Sequence, residues 1–64
     1  MTAAHDNYLI EARDHHIVVS ESQGGQWIEI DEVQVAEAGQ LLDAYGFNRN
    51  SPAVLAVIEE ASRQ

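Results

Sequence analysis

Histidine and aspartate side chains in the first quarter of the chain are candidate metal ligands. His5 with Asp6, and the adjacent pair His15 and His16, are the possible donors. In an extended segment neighbouring side chains point to opposite faces, so the adjacent pair suits one shared metal ion poorly. The histidine pair at helical i, i+4 spacing that is typical of zinc sites is absent. We therefore expect histidines exposed in turns, and no metal site.

Three further patterns are weighed for catalysis, namely the serines, the Gly24-Gly25 pair and the Asp31-Glu32 pair, and none indicates an active site. No serine lies in a G-x-S-x-G elbow. Gly24-Gly25 is too short for a phosphate-binding loop and precedes a strand, not a helix. The carboxylate pair Asp31-Glu32 stands at the expected start of a helix, where negative charge complements the helix dipole. A chain of 64 residues also has little volume for a ligand pocket. We predict a protein that is not an enzyme and uses no cofactor.

The charge of the chain is strongly negative and points to the kind of partner it would attract. Eleven acidic residues face three arginines, with no lysine, for a formal net charge of −8. Because nucleic-acid affinity depends on lysine and arginine that neutralise phosphates, this balance argues against direct nucleic-acid binding. The field of the protein would draw in a basic surface of another protein. Two interpretations stay open: an acidic face that docks on such a partner, or one that only keeps the protein in solution.

Trp27 is the candidate anchor for a protein partner. The run of residues 27–30 predicts a strand with Trp27 and Glu29 on one face and Ile28 and Ile30 on the other. An exposed aromatic side chain among carboxylates is a common type of binding anchor. Periodicity does not say which face is buried, so the helices could equally cover Trp27 and leave the isoleucines at an edge. The predicted partner-binding residues are Trp27, Glu29, Glu32, Glu37, Tyr8 and Val18.

Strand signals dominate the first half of the chain. Residues 1–7 form a polar segment that we expect to be flexible. Strands are predicted at residues 8–12, 17–19 and 27–30, and Gly24-Gly25 supplies the positive φ of a tight hairpin between the last two.

Helical signals follow from residue 31 onward. Asp31 is predicted as an N-cap with Gln34 completing a capping box, and Ile30 with Val35 as a hydrophobic staple. Gly46 is predicted to end this helix in the left-handed conformation, with the next residue, Phe47, packing on Leu42. The apolar stripe of the helix consists of Val35, Ala38, Leu41, Leu42 and Tyr45.

A second helix is predicted over residues 52–62, with Ser51 as N-cap and Pro52 in its first turn. Its residues 53–58 are all apolar, which is more than one face can bury in a small monomer. We therefore expect a homodimer, because a partner chain would cover the surplus. The alternative is a helix enclosed in the core of one chain. The predicted dimer interface is Val54, Leu55, Val57 and Ile58.

These signals predict one small domain, residues 1–64, of the α+β class. Its expected architecture is an antiparallel β-hairpin or three-stranded meander followed by two α-helices. The sequence has no cysteine and so no sign of an oxidising compartment. Its longest apolar run, residues 53–58, is far shorter than the roughly 20 residues of a membrane span, and no signal peptide is recognisable. We expect a cytoplasmic protein without a membrane partner.

The order of elements over residues 26–61 carries one family resemblance. A strand leads through Asp31-Glu32 into a helix that closes at residues 45–47, and a glycine-led turn with Arg49 precedes an apolar helix. This stretch resembles the ribbon-helix-helix family of dimeric DNA-binding regulators and antitoxins. Where that family contacts DNA with its strand, this sequence has Trp27 and Glu29. The resemblance implies a helical hairpin, a dimer and a DNA-binding function that would need Arg13 and Arg49 near DNA.

The leading functional hypothesis is a small, acidic, non-enzymatic protein-binding module that acts as an inhibitor or adaptor. As a type, small acidic α+β chains without cysteine or a catalytic motif resemble the inhibitors that phages encode against host proteins. The alternative is a ribbon-helix-helix-type transcriptional regulator or antitoxin. A module that only assembles with itself is a third interpretation.

Overall fold

A computed structural model describes all 64 residues, Met1 to Gln64, as an antiparallel sheet followed by two helices. The four strands lie in the order β1-β2-β3-β4, with helix α1 reached through a short 3-10 turn. The elements are β1 Thr2–His5, β2 Tyr8–Arg13, β3 His16–Gln23, β4 Gln26–Gln34, the 3-10 turn Val35–Glu37, α1 Ala38–Ala44 and α2 Pro52–Arg63. The α+β class is confirmed, and the sheet has four strands where two or three were predicted. Neither helix is long and apolar enough to cross a membrane.

Strand β1 comes from the segment that we expected to be flexible. It pairs antiparallel with β2, placing Ala3 opposite Ile10 in the core. The turn that follows is bound to β3, since Asn7 donates from its side chain to the Ser22 carbonyl at 3.0 Å and accepts from the Ser22 amide at 2.9 Å. The segment shows no strong strand signal, and it forms a strand because β2 offers it an edge to pair with.

Two-residue turns join β2 to β3 and β3 to β4. Gly24 and Gly25 have φ values of +58° and +82°, the backbone that matches the twist of a hairpin, so the predicted hairpin is confirmed. Asp14 and His15 take the same conformation at +51° and +64° without being glycines. His15 is held there by tertiary hydrogen bonds: its carbonyl accepts from the Val35 amide at 2.8 Å, and its Nδ1 lies 3.0 Å from the Ala61 carbonyl oxygen.

Strand β4 runs four residues beyond the predicted strand, which moves the start of the helix. Its pairing with β3 continues to His16 opposite Gln34, so the predicted capping box of Asp31 and Gln34 is wrong. Asp31 instead lies in the strand opposite Val19 and accepts a 3.0 Å hydrogen bond from the Tyr45 hydroxyl. The eight-residue β3 offers a complete set of backbone partners, and these outcompete the local capping signal.

The end of α1 agrees with the predicted glycine cap. Gly46 has φ of +79°, its amide donates to the Asp43 carbonyl at 3.2 Å, and the Phe47 amide donates to the Leu42 carbonyl at 2.9 Å. These two bonds satisfy carbonyl groups that the last helical turn leaves free. Phe47 is buried in the same core cluster as Leu42.

The hydrophobic core is one layer between the helices and one face of the sheet. The five residues of the predicted apolar stripe all face this layer: Ala38, Leu41 and Leu42 of α1 are buried in it, while Val35 of the 3-10 turn and Tyr45 just after the helix pack against it. The buried core residues are Ala3, Ile10, Ile17 and Val19 of the sheet, Ala38, Leu41 and Leu42 of α1, Phe47 of the loop, and Val54, Val57 and Ala61 of α2.

Helix α2 is enclosed by its own chain on the face that we assigned to a dimer interface. Val54 and Val57 are buried in the core and Ile58 packs against it, whereas Leu55 is 49% exposed. Val54, Val57 and Ala61 lie at helical spacing and form a single buried stripe. The surplus apolar surface that motivated a dimer is thus largely absorbed by a wider sheet than expected.

The core assignment predicts unequal effects of one substitution at two sites. Leu42→Ala is expected to lower the free energy of unfolding by about 2–5 kcal/mol, because Leu42 is fully buried. That is a large share of the roughly 3–10 kcal/mol expected for a domain of this size. Leu55→Ala should change it by no more than about 0.5 kcal/mol. Urea unfolding followed by circular dichroism measures both, and equal losses would contradict this arrangement of the core.

Candidate protein-interaction surface

Strand β4 is an open edge of the sheet. It pairs only with β3, and residues 26–32 are all exposed. The backbone groups on its outer side therefore have no partner strand, which makes this edge a template for pairing with another chain.

The β3–β4 turn determines which backbone groups point outward. In a two-residue hairpin the residues flanking the turn, Gln23 and Gln26, exchange hydrogen bonds, and such pairs alternate with non-bonded pairs along the strands. Trp27 and Glu29 stand in the non-bonded positions opposite Ser22 and Ser20. The N–H and C=O groups of Trp27 and Glu29 consequently face away from the sheet.

Apolar side chains are concentrated along the same edge. Trp27, Ile28 and Ile30 are 49%, 40% and 41% exposed, and they are three of the five large hydrophobic residues that the protein exposes. Trp27 lies on the sheet face without helices and Ile28 on the other face, while the register shift leaves Ile30 as the extra residue of a bulge. We call these three residues the edge patch. Neither isoleucine lines the core, as in the alternative that placed them at an edge, but Trp27 is exposed on the helix-free face and is not covered by the helices as that alternative required.

The sheet face opposite the helices is closed by an ion pair. Arg13 of β2 binds Glu29 of β4, with Nη2 to Oε2 at 2.6 Å, and Glu11 at 3.1 Å. Because β3 lies between β2 and β4, the arginine side chain must cross β3 to reach Glu29. Val18 of β3 is only 1% exposed although no helix covers this face. The ion pair and its neighbours thus shield the apolar centre of this face.

The same ion pair sets the charge state of Glu29. The hydrogen bond from Arg13, aided by its charge, holds the pKa of Glu29 below the ordinary value despite some desolvation. Glu29 is therefore ionised at neutral pH, and its side chain remains 53% exposed. Glu32 and Glu37 have no cationic partner within ion-pair distance. Their negative charge is not compensated within the chain.

The structure gathers part of the predicted partner-binding set. Trp27, Glu29 and Glu32 lie on β4 and share the helix-free face with Val18. Val18 is buried beneath that face, so its side chain is not accessible to a partner.

The two remaining members of that set lie elsewhere. Tyr8 stands on the helix-covered face, where its ring meets the ring of Tyr45 edge-on at 4.8 Å between centroids. Burial, and then the hydrogen bond to Asp31, raises the pKa of Tyr45. Glu37 lies in the 3-10 turn and lines a shallow hollow of about 390 Å³ with Gly39, Gln40 and Arg49. These positions separate both residues from Trp27.

The hollow beside Glu37 holds one arginine, and that arginine is already engaged. Arg49 binds Asp43 through two bonds of 3.1 Å and 2.6 Å. Its guanidinium group lies 3.1 Å from where a Cβ of Gly39 would be, so the arginine side chain packs closely over this glycine. No three histidine, aspartate or glutamate side chains converge to hold a metal ion.

Sequence reasoning missed Ile28 and Ile30 as accessible residues and missed the length of β4. A signal for the longer strand exists, since apolar residues continue at near-alternate positions as Val33 and Val35. That pattern fits a strand as well as the beginning of a helix, and the capping residues favoured the helix.

Comparison of the chain with protein-family models, curated proteins and solved structures finds no match. Its function therefore has to be inferred from its own geometry.

The Arg13–Glu29 ion pair predicts a pH dependence of stability. The pKa of Glu29 is lower in the folded than in the unfolded chain, so the pair stabilises the fold above the ordinary glutamate pKa of about 4.3. This contribution is lost as the pH falls through the lowered pKa. We expect Glu29→Gln to flatten the decline of the unfolding free energy below about pH 5.

Urea unfolding at several pH values measures this decline. Glu32→Gln serves as the control, since Glu32 has no ion-pair partner. An unchanged pH profile in Glu29→Gln would show that the ion pair does not contribute to folding.

Proposed function

We propose that this chain is a small non-enzymatic protein-binding module that docks on a basic site of another protein, as an inhibitor or adaptor. The observation that carries the proposal is the edge patch, in which Trp27, Ile28 and Ile30 are all exposed along β4, whose outer edge has no partner strand. Single exposed apolar residues are common on monomeric proteins and need no explanation. A cluster on an open strand edge is favoured as an interaction site.

Trp27 is suited to be the anchor of this contact. About half of its surface is accessible in the free protein, so a partner that covers it removes a large aromatic area from water. Tryptophan is among the residues that most often dominate the energetics of protein interfaces. Its indole N–H can also donate a hydrogen bond to a polar group of the partner.

The carboxylates around the patch determine what sort of partner it attracts. The net charge of −8 produces a negative field that accelerates encounter with basic surfaces and opposes encounter with acidic ones. The proposed steering charges are Glu29 and Glu32 on β4, together with Glu37, which lies away from the patch and adds to the field of the whole protein. The partner is therefore proposed to be a cytoplasmic protein with a lysine- or arginine-rich site.

The ribbon-helix-helix-type regulator or antitoxin is the alternative, and it has less support. Its DNA contact would draw on Arg13 and Arg49, whose guanidinium groups are bound to Glu29 and Asp43 at 2.6 Å each. A gel-shift experiment with pooled genomic fragments at low salt separates the two functions, because even non-specific DNA binding is strong under those conditions.

The absence of lysine makes the partner accessible to a direct chemical experiment. A water-soluble carbodiimide joins a carboxylate to a nearby amine without a spacer. Within this chain the only amine is the amino terminus, so every other cross-link must reach an amine of another molecule, either a lysine or an amino terminus. Cross-linked peptides containing Glu29 or Glu32 would identify the partner and the contacting surface together.

With the cross-linked partner purified, Trp27→Ala tests the anchor. We expect the substitution to weaken binding by more than about 1 kcal/mol, or about fivefold in Kd, because it removes the central aromatic contact. Affinity should also fall as salt is raised, since screening reduces the attraction of the carboxylates. Calorimetric titration at two ionic strengths measures both effects.

Leu55→Ala is the control for that titration, because Leu55 has the same fractional exposure as Trp27 but lies on α2. Binding that is insensitive to salt and equally strong in both variants would refute the proposed function. A clear shift of DNA fragments without partner cross-links would favour the regulator.

A further inference from the structure

We propose that the β4 edge binds its partner by strand addition, taking up an extended basic segment as a fifth strand of the sheet. This inference rests on the proposed function and specifies the recognition mode and the chemistry of the ligand. Strand addition combines backbone hydrogen bonds, which give affinity, with alternating side-chain contacts, which give selectivity.

The backbone of β4 has the spacing that an added strand requires. Trp27 and Glu29 are two residues apart, and the N–H and C=O groups of both face outward by the alternation that the β3–β4 hairpin imposes. An extended segment lying alongside β4 presents the N–H and C=O groups that face β4 at the same two-residue interval. The segment Gln26–Glu29 is thus a ready partner for a strand.

The bulge limits how far the regular pairing can extend. The register of β4 against β3 shifts between Glu29 and Asp31, with Ile30 as the extra residue. A bulge bends its strand and interrupts the ladder. The docked segment would therefore pair regularly over about four residues, and side-chain contacts must supply much of the selectivity.

The side chains along this edge favour a segment in which basic and apolar residues alternate. On the helix-free face, a lysine or arginine opposite Glu29 meets a carboxylate, and one beside Trp27 meets the face of an aromatic ring. On the other face, a β-branched residue opposite Ile28 covers an apolar side chain that is 40% exposed.

A second copy of the chain is the other natural occupant of an open edge. The negative charge of the chain opposes this pairing. Pairing β4 with β4 of a second chain would bring the carboxylates of Glu29, Asp31 and Glu32 in both copies to one seam. Like charges opposite one another destabilise a sheet, and each chain carries a net charge of −8. Charges on an edge strand therefore disfavour self-pairing while attracting a basic strand.

The test uses an eight-residue peptide of alternating lysine and valine, with the emission of Trp27, the only tryptophan, as the signal. One derivative carries N-methyl groups on the lysine amides and the other on the valine amides. The two derivatives have equal charge and equal numbers of methyl groups, and they differ only in which edge of the peptide is blocked. An alternating glutamate and valine peptide controls for non-specific apolar binding.

We expect one derivative to bind at least about tenfold more weakly than the parent peptide, while the other stays within about twofold. Weaker binding of the derivative methylated on its lysine amides would indicate antiparallel pairing. Weaker binding of the derivative methylated on its valine amides would indicate parallel pairing. Equal binding of both derivatives would overturn strand addition and leave docking on a basic partner intact. Failure of the unmethylated peptide to bind would also overturn the inference, whereas the proposed function is decided separately with the cross-linked partner.

Glu29→Pro provides a second test on the protein itself. Proline lacks the outward N–H of residue 29, and proline is tolerated on an edge strand where that group faces solvent. Glu29→Gln is the matched variant. Both substitutions remove the carboxylate, but only Glu29→Pro removes the backbone N–H of residue 29. We expect the peptide to bind Glu29→Pro at least about fivefold more weakly than Glu29→Gln.

Equal affinities of these two variants, with folding verified by urea unfolding, would contradict a hydrogen bond from residue 29. Sedimentation of the peptide-free protein decides the occupant. A stable dimer whose formation is abolished by Glu29→Pro but not by Glu29→Gln would assign the edge to a second copy and refute the inference.

Discussion

The limited apolar content of a 64-residue chain constrains the whole structure, because it allows one core layer and no more. Ile10 and Ile17 of the sheet meet Leu42 of α1 and Val57 of α2 in that layer, and all four are fully buried. Both helices pack on one face of the sheet, so no helix remains to cover the opposite face. A domain this small also has little stability in reserve, which makes each buried contact in the layer consequential.

The helix-free face of the sheet and the open edge of β4 both follow from having a single core layer. They differ in what protects them. On the face, Arg13 crosses β3 to reach Glu29, and this ion pair shields Val18 where a third helix would otherwise be needed. On the edge, nothing covers Trp27 or its isoleucine neighbours, and only the charge of β4 and its bulge restrain pairing with other chains. The same carboxylates that oppose a second acidic copy favour a basic ligand, so protection against self-association and selection of a partner have one physical origin.

Prediction from sequence succeeded where a short stretch of chain decides the outcome by itself. Gly46 ends α1 because a left-handed residue is needed there, and Pro52 begins α2 because its φ suits a first helical turn. The same reasoning failed at Asp31, where a local capping signal competed with the backbone of β3 and lost. It also missed the strand Thr2–His5, which forms by pairing with β2 and has no strong strand preference of its own.

The sequence by itself determined the Gly24-Gly25 turn, the end of α1 at Gly46, the start of α2 at Pro52, the acidic charge and the presence of a tryptophan beside carboxylates on one strand. All of these depend on neighbours in the chain or on composition. Only the tertiary structure decided that Val54 and Val57 lie inside while Trp27, Ile28 and Ile30 remain outside. Periodicity tells which residues share a face of a strand or helix. Whether that face is buried depends on how many strands the sheet contains and on which strand lies at its edge.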